Sequence, residues 1–271
     1  MAMWRTRIMG ILNVTPDSFY DGGRYVDTAI AIDHAMLMVS EGADIIDVGG
    51  ESTRPGSKPV SAAEEIDRVC PVIEKITRGS AIPVSIDTTK SAVAAEAVKS
   101  GAVIINDISG LTFDPGIIKV AAENNTGLVV SHIRGIPENM QKNTSYGNLL
   151  QDILDFLKLS AENAVQSGVK REKIIIDPGI GFGKSLEQNY VILNNIRLLR
   201  ESGFPVLIGL SRKSLIGKLY KSDEDRLPAT IALNAAAVLR GADIVRVHDV
   251  KAHRLALDSI DFLKSVENKD D

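Results

Sequence analysis

Eight apolar runs, each closing on a polar residue and each followed by a stretch of helical period, predict an α/β protein of the (β/α)8 TIM-barrel class. Two further observations narrow it. The runs are continuous rather than alternating, Ile174-Ile175-Ile176 most clearly, as strands covered on both faces require. Strands separated by helices must run parallel, and eight such units in 271 residues suit a closed barrel of about 250 residues. A doubly wound sheet also alternates strand and helix, but eight units favour closure. No linker, low-complexity segment or compositional shift divides the chain, so a single domain over 1–271 is expected.

The elements follow in order. Ile8 to Val14 ends among Asn13, Thr15, Pro16 and Asp17, with a loop through Gly22-Gly23. Ile32, Ala35, Met36 and Val39 mark the first helix, closed by Gly42. Ile45 to Val48 leads into Gly49-Gly50-Glu51-Ser52-Thr53-Arg54-Pro55-Gly56 and a helix carrying Ile66, Val69, Ile73 and Ile76. Pro83 to Ile86 ends at Asp87, before a helix with Ala94, Ala97 and Val98. Ala102 to Ile105 ends at Asn106-Asp107, before Ile117, Ala121 and Ala122. Leu128 to Val130 leads to Ser131-His132, a longer loop with Pro137, and a long helix with Ile153, Phe156, Leu157, Ser160 and Ala164. Ile174 to Ile176 stops at Asp177-Pro178, because proline cannot extend a ladder. A glycine-spaced loop and a helix with Ile192, Leu193, Ile196 and Leu199 follow. Pro205 to Leu210 ends in Ser211-Arg212-Lys213, and the next helical segment is broken at Pro228 and resumes to Leu239. Ile244 to Val247 ends at His248, and the last helix holds Ala256, Ile260 and Leu263 ahead of a charged tail.

Bulk properties exclude several classes. A net charge of −4 offers no basic surface for nucleic acid or acidic membranes. The one cysteine, Cys70, excludes an internal disulfide framework and a Cys-based zinc site, and suits a reducing compartment. No apolar run approaches the roughly 18 residues of a membrane span, and the N-terminus M-A-M-W-R-T-R lacks the apolar core of a secretory signal. Cytoplasm is the expected location. Gly183-Lys184-Ser185 imitates the end of a Walker A loop, but Pro178 stands where its first glycine belongs. No G-x-S-x-G supports a hydrolase nucleophile. His34 and His253 fall in helical runs and are expected at the surface.

In such a barrel the C-terminal strand ends form the active face. That face would present Asn13, Asp47 with Glu51, Asp87, Asn106, His132, Asp177, Lys213, and Arg246 with His248. Each alone has an equally good reading as a turn or cap residue, and Asp107 and Asp249 fit caps better than ligands. Repetition raises the set above that reading. Asp87, Asn106 and Asp177 offer acceptors suited to a flat heterocycle with several N–H donors, such as a 2-amino-pyrimidinone. Arg246, His248, Lys213 and Arg54 are donors suited to an anion, and phosphate sites in these barrels often follow strands seven and eight. Asn13 and Asp17 are hard oxygen ligands that, beside a diphosphate, fit a magnesium ion.

These words together resemble dihydropteroate synthase: G-I-L-N-V-T-P-D-S-F from Gly10, G-G-E-S-T-R-P-G from Gly49, S-I-D-T from Ser85, I-N-D-I-S-G from Ile105, D-P-G-I-G-F-G-K from Asp177, G-L-S-R-K-S from Gly209 and R-V-H-D-V from Arg246. The resemblance implies a (β/α)8 barrel, a homodimer, and a transferase that joins 4-aminobenzoate to a dihydropterin diphosphate with release of pyrophosphate. It implies that Asp87, Asn106, Asp177 and Lys213 hold the pterin. Arg246, His248 and Asn13 would hold the diphosphate, Asn13 partly through Mg2+. Thr53, Arg54 and Pro55, with Ser211 and Phe182, would line the aminobenzoate site, and Asp17, Phe19 and Asp21 would belong to a first loop closing over it. Asp87, Asp177, Lys213, Arg246 and His248 would carry the chemistry. Two places depart: Ser131 and Ile133 flank His132 where the family often has methionine, and Pro228-Ala229-Thr230 replaces a common Gly-Ser. A pterin-binding methyltransferase on the same barrel would need neither Thr53-Arg54-Pro55 nor Arg246-x-His248. A Schiff-base aldolase would need Lys213 in a dry pocket. A non-catalytic pterin-binding paralogue would release no pyrophosphate.

Overall fold

The structure, a computed structural model, describes residues 5–15, 24–53, 56–220 and 222–267. Eight parallel strands stand in the order β6-β5-β4-β3-β2-β1-β8-β7. They are β1 (Arg7–Asn13), β2 (Ile45–Gly49), β3 (Val84–Asp87), β4 (Ile104–Asp107), β5 (Gly127–Ser131), β6 (Ile174–Asp177), β7 (Leu207–Gly209) and β8 (Ile244–Val247). A parallel bridge between Ile176 and Val206 brings the last edge, β6, to β7 and closes the barrel. Around it lie α1 (Arg24–Ser40), α2 (Ala62–Gly79), α3 (Ser91–Lys99), α4 (Gly116–Glu123), α5 (Leu149–Gln166), α6 (Leu186–Asn194), α7 (Ile196–Arg200), α8 (Ser214–Gly217), α9 (Asp223–Leu239) and α10 (Val250–Glu267). The (β/α)8 expectation therefore holds, with strand ends shifted by a residue or two.

Alternation along each strand sorts its side chains. One set faces the helices and forms the main core, with Ile8, Ile46, Ile86, Ile105, Val130 and Ile176 all buried. The other set fills the barrel: Met9, Ile45, Val129, Ile175, Leu207 and Ile244 make an apolar floor. Two residues further along the same strands, the interior turns polar with Asp47, Asn106, Asp177 and Arg246. Register then sets neighbours side by side, Asn13 against Gly49, Gly49 against Asp87 and Asp87 against Asn106. The site is thus the upper layer of the barrel core.

Three sequence expectations need correction. The helix expected to break at Pro228 runs through it as α9, because a proline in the second turn forfeits only one helical bond. The single helix expected after the β6 loop is divided at Asn195, whose backbone leaves the helical region between α6 and α7. His253 is fully buried rather than at the surface. Its Nδ1 stands 2.8 Å from the Asp249 carbonyl one turn earlier, and burial lowers its pKa. The inward face of α10 is set by Val250, His253, Arg254, Leu257 and Asp261, with Ile260 packed at its edge.

Candidate active site

A cavity of about 750 Å³ opens at the C-terminal ends of the strands. Asn13, Asp87, Lys213, Arg246 and His248 line it, as do Thr53, Phe182 and Ser211. Asn106 and Asp177 lie just beneath, almost wholly buried. Arg54, Pro55, Asp17, Phe19 and Asp21 lie outside the described residues. Ile180, Gly181 and the exposed His34 also line the cavity; sequence reasoning gave none of them a role.

The centre of the site is an ion cluster. Arg246 donates from Nε to Asp47 Oδ2 at 2.6 Å and from Nη2 to Asp87 Oδ2 at 2.5 Å. Asp47 Oδ2 also accepts from Asn106 Nδ2 at 3.0 Å, so it aligns the two side chains that flank Asp87. The sequence showed Asp47 at the strand end but not that it holds both Arg246 and Asn106. It lies mid-strand among apolar residues, and a fully buried carboxylate there was the available signal. Its Oδ1 has no partner among the described residues, so the cluster retains acceptor capacity. Arg246 is thus both an ion-pair partner inside the barrel and part of the cavity wall.

Charge is expensive here. Burial pushes Asp87 up to about 7 despite the opposing pull of Arg246, and the neighbouring Asp47 adds to the rise. Burial also raises Asp177, against Lys213 and the Gly179 amide. Lys213 is pulled down to about 8 by burial, with Asp177 opposing. Two carboxylates that resist ionisation and an amine that resists protonation mark a site short of counter-charge.

Loop geometry places the rest. Asp177 Oδ1 accepts from Gly179 N at 2.7 Å, which turns the chain sharply out of β6. Gly179 sits at φ +67°, where an added Cβ would stand 1.8 Å from the His132 carbonyl oxygen, so only glycine fits. Lys213 reaches back to the Ile180 carbonyl at 2.5 Å, with its ammonium 4.4 Å from the Phe182 ring centre. Ser211 Oγ and His248 Nδ1 are 2.9 Å apart, and His248 N donates to the same hydroxyl at 3.2 Å. Asp107 is a cap, as expected, accepting from the Ser109 and Leu111 amides at 2.8 Å. His132 faces away from the cavity: Lys184 Nζ lies 2.9 Å from its Nδ1, and burial with the Lys184 charge holds it at about 3.

The mouth is therefore acceptor-rich along β2, β3, β4 and β6 and donor-rich along β7 and β8. It defines a (β/α)8 protein whose open mouth suits a flat N–H-bearing ring beside an anion. The chain belongs to the pterin binding enzymes, whose family model matches residues 9–248. Its relatives within that family include dihydropteroate synthases. That of Clostridium beijerinckii is 49% identical over 261 residues, 96% of this chain and 94% of the relative. That of Escherichia coli K12 is 42% identical over 264 residues, 97% and 93% of the two chains. Among solved structures, the Clostridium difficile dihydropteroate synthase, determined in the presence of pteroic acid, superposes with a TM-score of 0.91 at 46% identity, covering 96% of this chain and 97% of that one. The Xanthomonas albilineans enzyme with 4-aminobenzoic acid gives 0.89 at 39% identity, with 99% and 95% covered.

Proposed function

We propose that this cavity carries out the dihydropteroate synthase reaction with the following division of labour. Asp177 and Asn106 grip the N–H edge of the dihydropterin, and Lys213 donates to its acceptor edge. Asp87, held by Arg246, stabilises the positive charge that the ring develops. The C–O bond between the methylene carbon and the diphosphate breaks first, its electron pair leaving with pyrophosphate. Arg246 and His248 stabilise that departing charge. The amine of 4-aminobenzoate then attacks the methylene carbon, a C–N bond forms, and the resulting ammonium loses its proton to pyrophosphate or water. Early departure suits a weak aromatic nucleophile and asks for no strong general base. Thr53 and Ser211 on the cavity wall support an aminobenzoate subsite next to the anion subsite, with Arg54 and Pro55 following Thr53 in sequence.

The observation that carries this reading is the juxtaposition of Asp177 and Asn106 beneath the cavity with Lys213, Arg246 and the Ser211–His248 pair on its wall. Mixing protein, magnesium, dihydropterin diphosphate and 4-aminobenzoate should give dihydropteroate by mass, with pyrophosphate released only when aminobenzoate is present. Pyrophosphate released at the same rate without it, or no product at all, would refute the reading.

For magnesium the residues fit a substrate-held ion. No group of three or more His, Cys, Asp or Glu side chains is arranged for a metal among the described residues. Asn13 offers one hard oxygen at the mouth, near Asp87, so the diphosphate would supply most ligands. Bound Mg2+ would neutralise diphosphate charge. A homodimer is supported by exposed Leu255, Phe262 and Val266, which share one face of α10; sedimentation gives the test. A cytoplasmic location is consistent with the described helices, none of which is long and apolar enough to cross a membrane.

A further inference from the structure

Five consecutive backbone carbonyls after β6 are each taken by a side-chain donor. Lys184 Nζ donates to Gly179 O and to Phe182 O, both at 2.9 Å. Lys213 Nζ takes Ile180 O, Gln141 Nε2 takes Gly181 O, and Tyr146 Oη takes Gly183 O at 3.0 Å. Only Lys213 among these donors has a place in the reaction described above. Lys184 is the unexpected member, a lysine 2% exposed in the body of the protein.

Its position follows from glycine. An added Cβ on Gly179 would strike the His132 carbonyl, and one on Gly183 (φ +66°) would come within 2.6 Å of the Arg134 carbonyl. The loop backbone therefore lies directly on the segment after β5. Close contact buries the Gly179 and Phe182 carbonyls, and each then needs a donor. One ammonium has three. Lys184 spends them on the loop's Gly179 and Phe182 carbonyls and on the β5 side, where His132 Nδ1 lies at 2.9 Å and His132 O at 3.3 Å. His132 then accepts at Nδ1 and carries its proton on Nε2. Burial lowers the Lys184 pKa while Asp177 opposes that fall, so the pin is tied electrostatically to the site carboxylate.

We propose that Lys184 is a positioning residue for the pterin: from beneath the β6 loop it fixes the Ile180 carbonyl and the Phe182 ring, which together aim the Lys213 ammonium. The proposal rests on the reading that Asp177 and Lys213 hold the pterin. Without the pin, two buried carbonyls lose their donor, the loop lifts from His132, and Lys213 loses the two contacts that hold it off Asp177. The anion subsite at Ser211 and His248 has none of these contacts and should not notice.

The test is Lys184→Met, which keeps the buried stem and removes the donors. Dihydropteroate affinity should fall about tenfold or more, and KM for the dihydropterin diphosphate should rise alike, with kcat and pyrophosphate affinity within about twofold. A folded variant with unchanged pterin affinity, or with pterin and pyrophosphate affinity lost in equal measure, would overturn the proposal. Should Lys184→Met not fold, Tyr146→Phe and Gln141→Ala remove outer donors to the same loop. Each should weaken dihydropteroate about threefold and spare pyrophosphate; no change, or equal loss of both ligands, would again overturn it. Asp177→Asn separates the two levels. If it too leaves dihydropteroate binding untouched, the pterin reading has failed; if it weakens binding while Lys184→Met does not, only the role of Lys184 has.

Discussion

The two poles of the barrel bury the same kinds of side chain and use them oppositely. At the N-terminal pole, Asp261 accepts from Thr6 N at 2.7 Å and Thr6 Oγ1 at 2.6 Å. Asp44 accepts from Ile8 N at 2.7 Å and Arg254 Nη2 at 2.6 Å, and Arg254 also donates to the Thr6 carbonyl from both terminal nitrogens. Asp243 accepts from Val206 N at 2.8 Å. One backbone amide and at least one side-chain donor hold each of these carboxylates, and Asp261 and Arg254 tie strand starts to α10. At the C-terminal pole, Asp47 and Asp87 are held chiefly by one arginine, and Asp177 by one loop amide. Residue type does not separate structure from function here; an open cavity beside the carboxylates does. A carboxylate shared between a strand-start amide and side-chain donors has little left to offer, whereas one beside the cavity can exchange a side-chain partner for a ligand.

The largest effect expected from this contrast is on stability. Arg254→Met should take the arginine donors from Asp44 and the Thr6 carbonyl and cost about 3 kcal/mol, the lower end for breaking a buried pair because Asp44 keeps the Ile8 amide and some solvent. Pterin affinity of the folded fraction should stay as it was. Denaturant unfolding alongside ligand titration checks both; a loss of affinity with intact stability would reverse the assignment of the poles. Next in size, Asp177→Asn should leave the melting temperature unchanged or raised, since it removes a buried charge of raised pKa. Pterin binding should weaken by about 1.5–3 kcal/mol, ten- to hundredfold, because a ligand N–H then faces a donor or a neutral oxygen. Unaltered affinity in a well-folded variant would return Asp177 to the role of a turn residue.

The sequence was most legible where chemistry interrupts an apolar run. Asp87, Asn106, Asp177 and Arg246 stand at strand ends that the barrel must bring to one mouth, so topology alone gathers them. Asp107 was readable as a cap because its acceptors serve amides two and four residues on. Tertiary contacts hid the rest. The apolar run around Asp47 marks it as a buried carboxylate, but its partner Arg246 arrives from the far end of the chain. Lys184 reads as part of a phosphate loop or as a surface lysine, and only the glycine-enforced contact with His132 makes it a buried donor. His253 is polar in a helical run, yet the packing of α10, not its period, decides that it faces inward.

A smaller effect, on pH dependence, sharpens the contrast. Asp87 folds with its carboxyl raised to about 7, above the ordinary carboxylate value near 4. Between those values the folded state holds the proton that the unfolded state has lost, so stability contributed by this group falls as pH rises from about 4 to 7. Lys213 is lowered to about 8, and the unfolded chain holds its proton up to about 10.4, so stability recovers as pH rises from about 8 to 10. The free enzyme is therefore least favoured by these groups at about pH 7–8. There both are ionised, and a pterin that bonds to the charged forms should bind best. Affinity should fall about tenfold per unit outside that window. Melting curves with and without dihydropteroate across pH test the pair of trends; affinity that is flat from pH 5 to 9 would detach both groups from the ligand.

The smallest effect concerns Ser211. Its hydroxyl accepts from the His248 amide at 3.2 Å and meets His248 Nδ1 at 2.9 Å, so it orients the imidazole on the anion side of the cavity. Ser211→Ala removes both neutral contacts to His248, and because the pair lines the open cavity the net loss should stay near that of a single hydrogen bond, about 0.5–1.5 kcal/mol, or roughly two- to tenfold in affinity. The loss should appear in pyrophosphate binding, because the ring loses its tether beside that subsite. It should not appear in the melting temperature, since no buried charge is uncovered, nor in the pterin's grip on Asp177, which among the described residues makes no hydrogen bond to Ser211 or His248. Separate titrations of pyrophosphate and of dihydropteroate distinguish these. Equal weakening of both ligands would mean that the donor-rich and acceptor-rich sides of the mouth act as one unit, and that the division drawn between them is false.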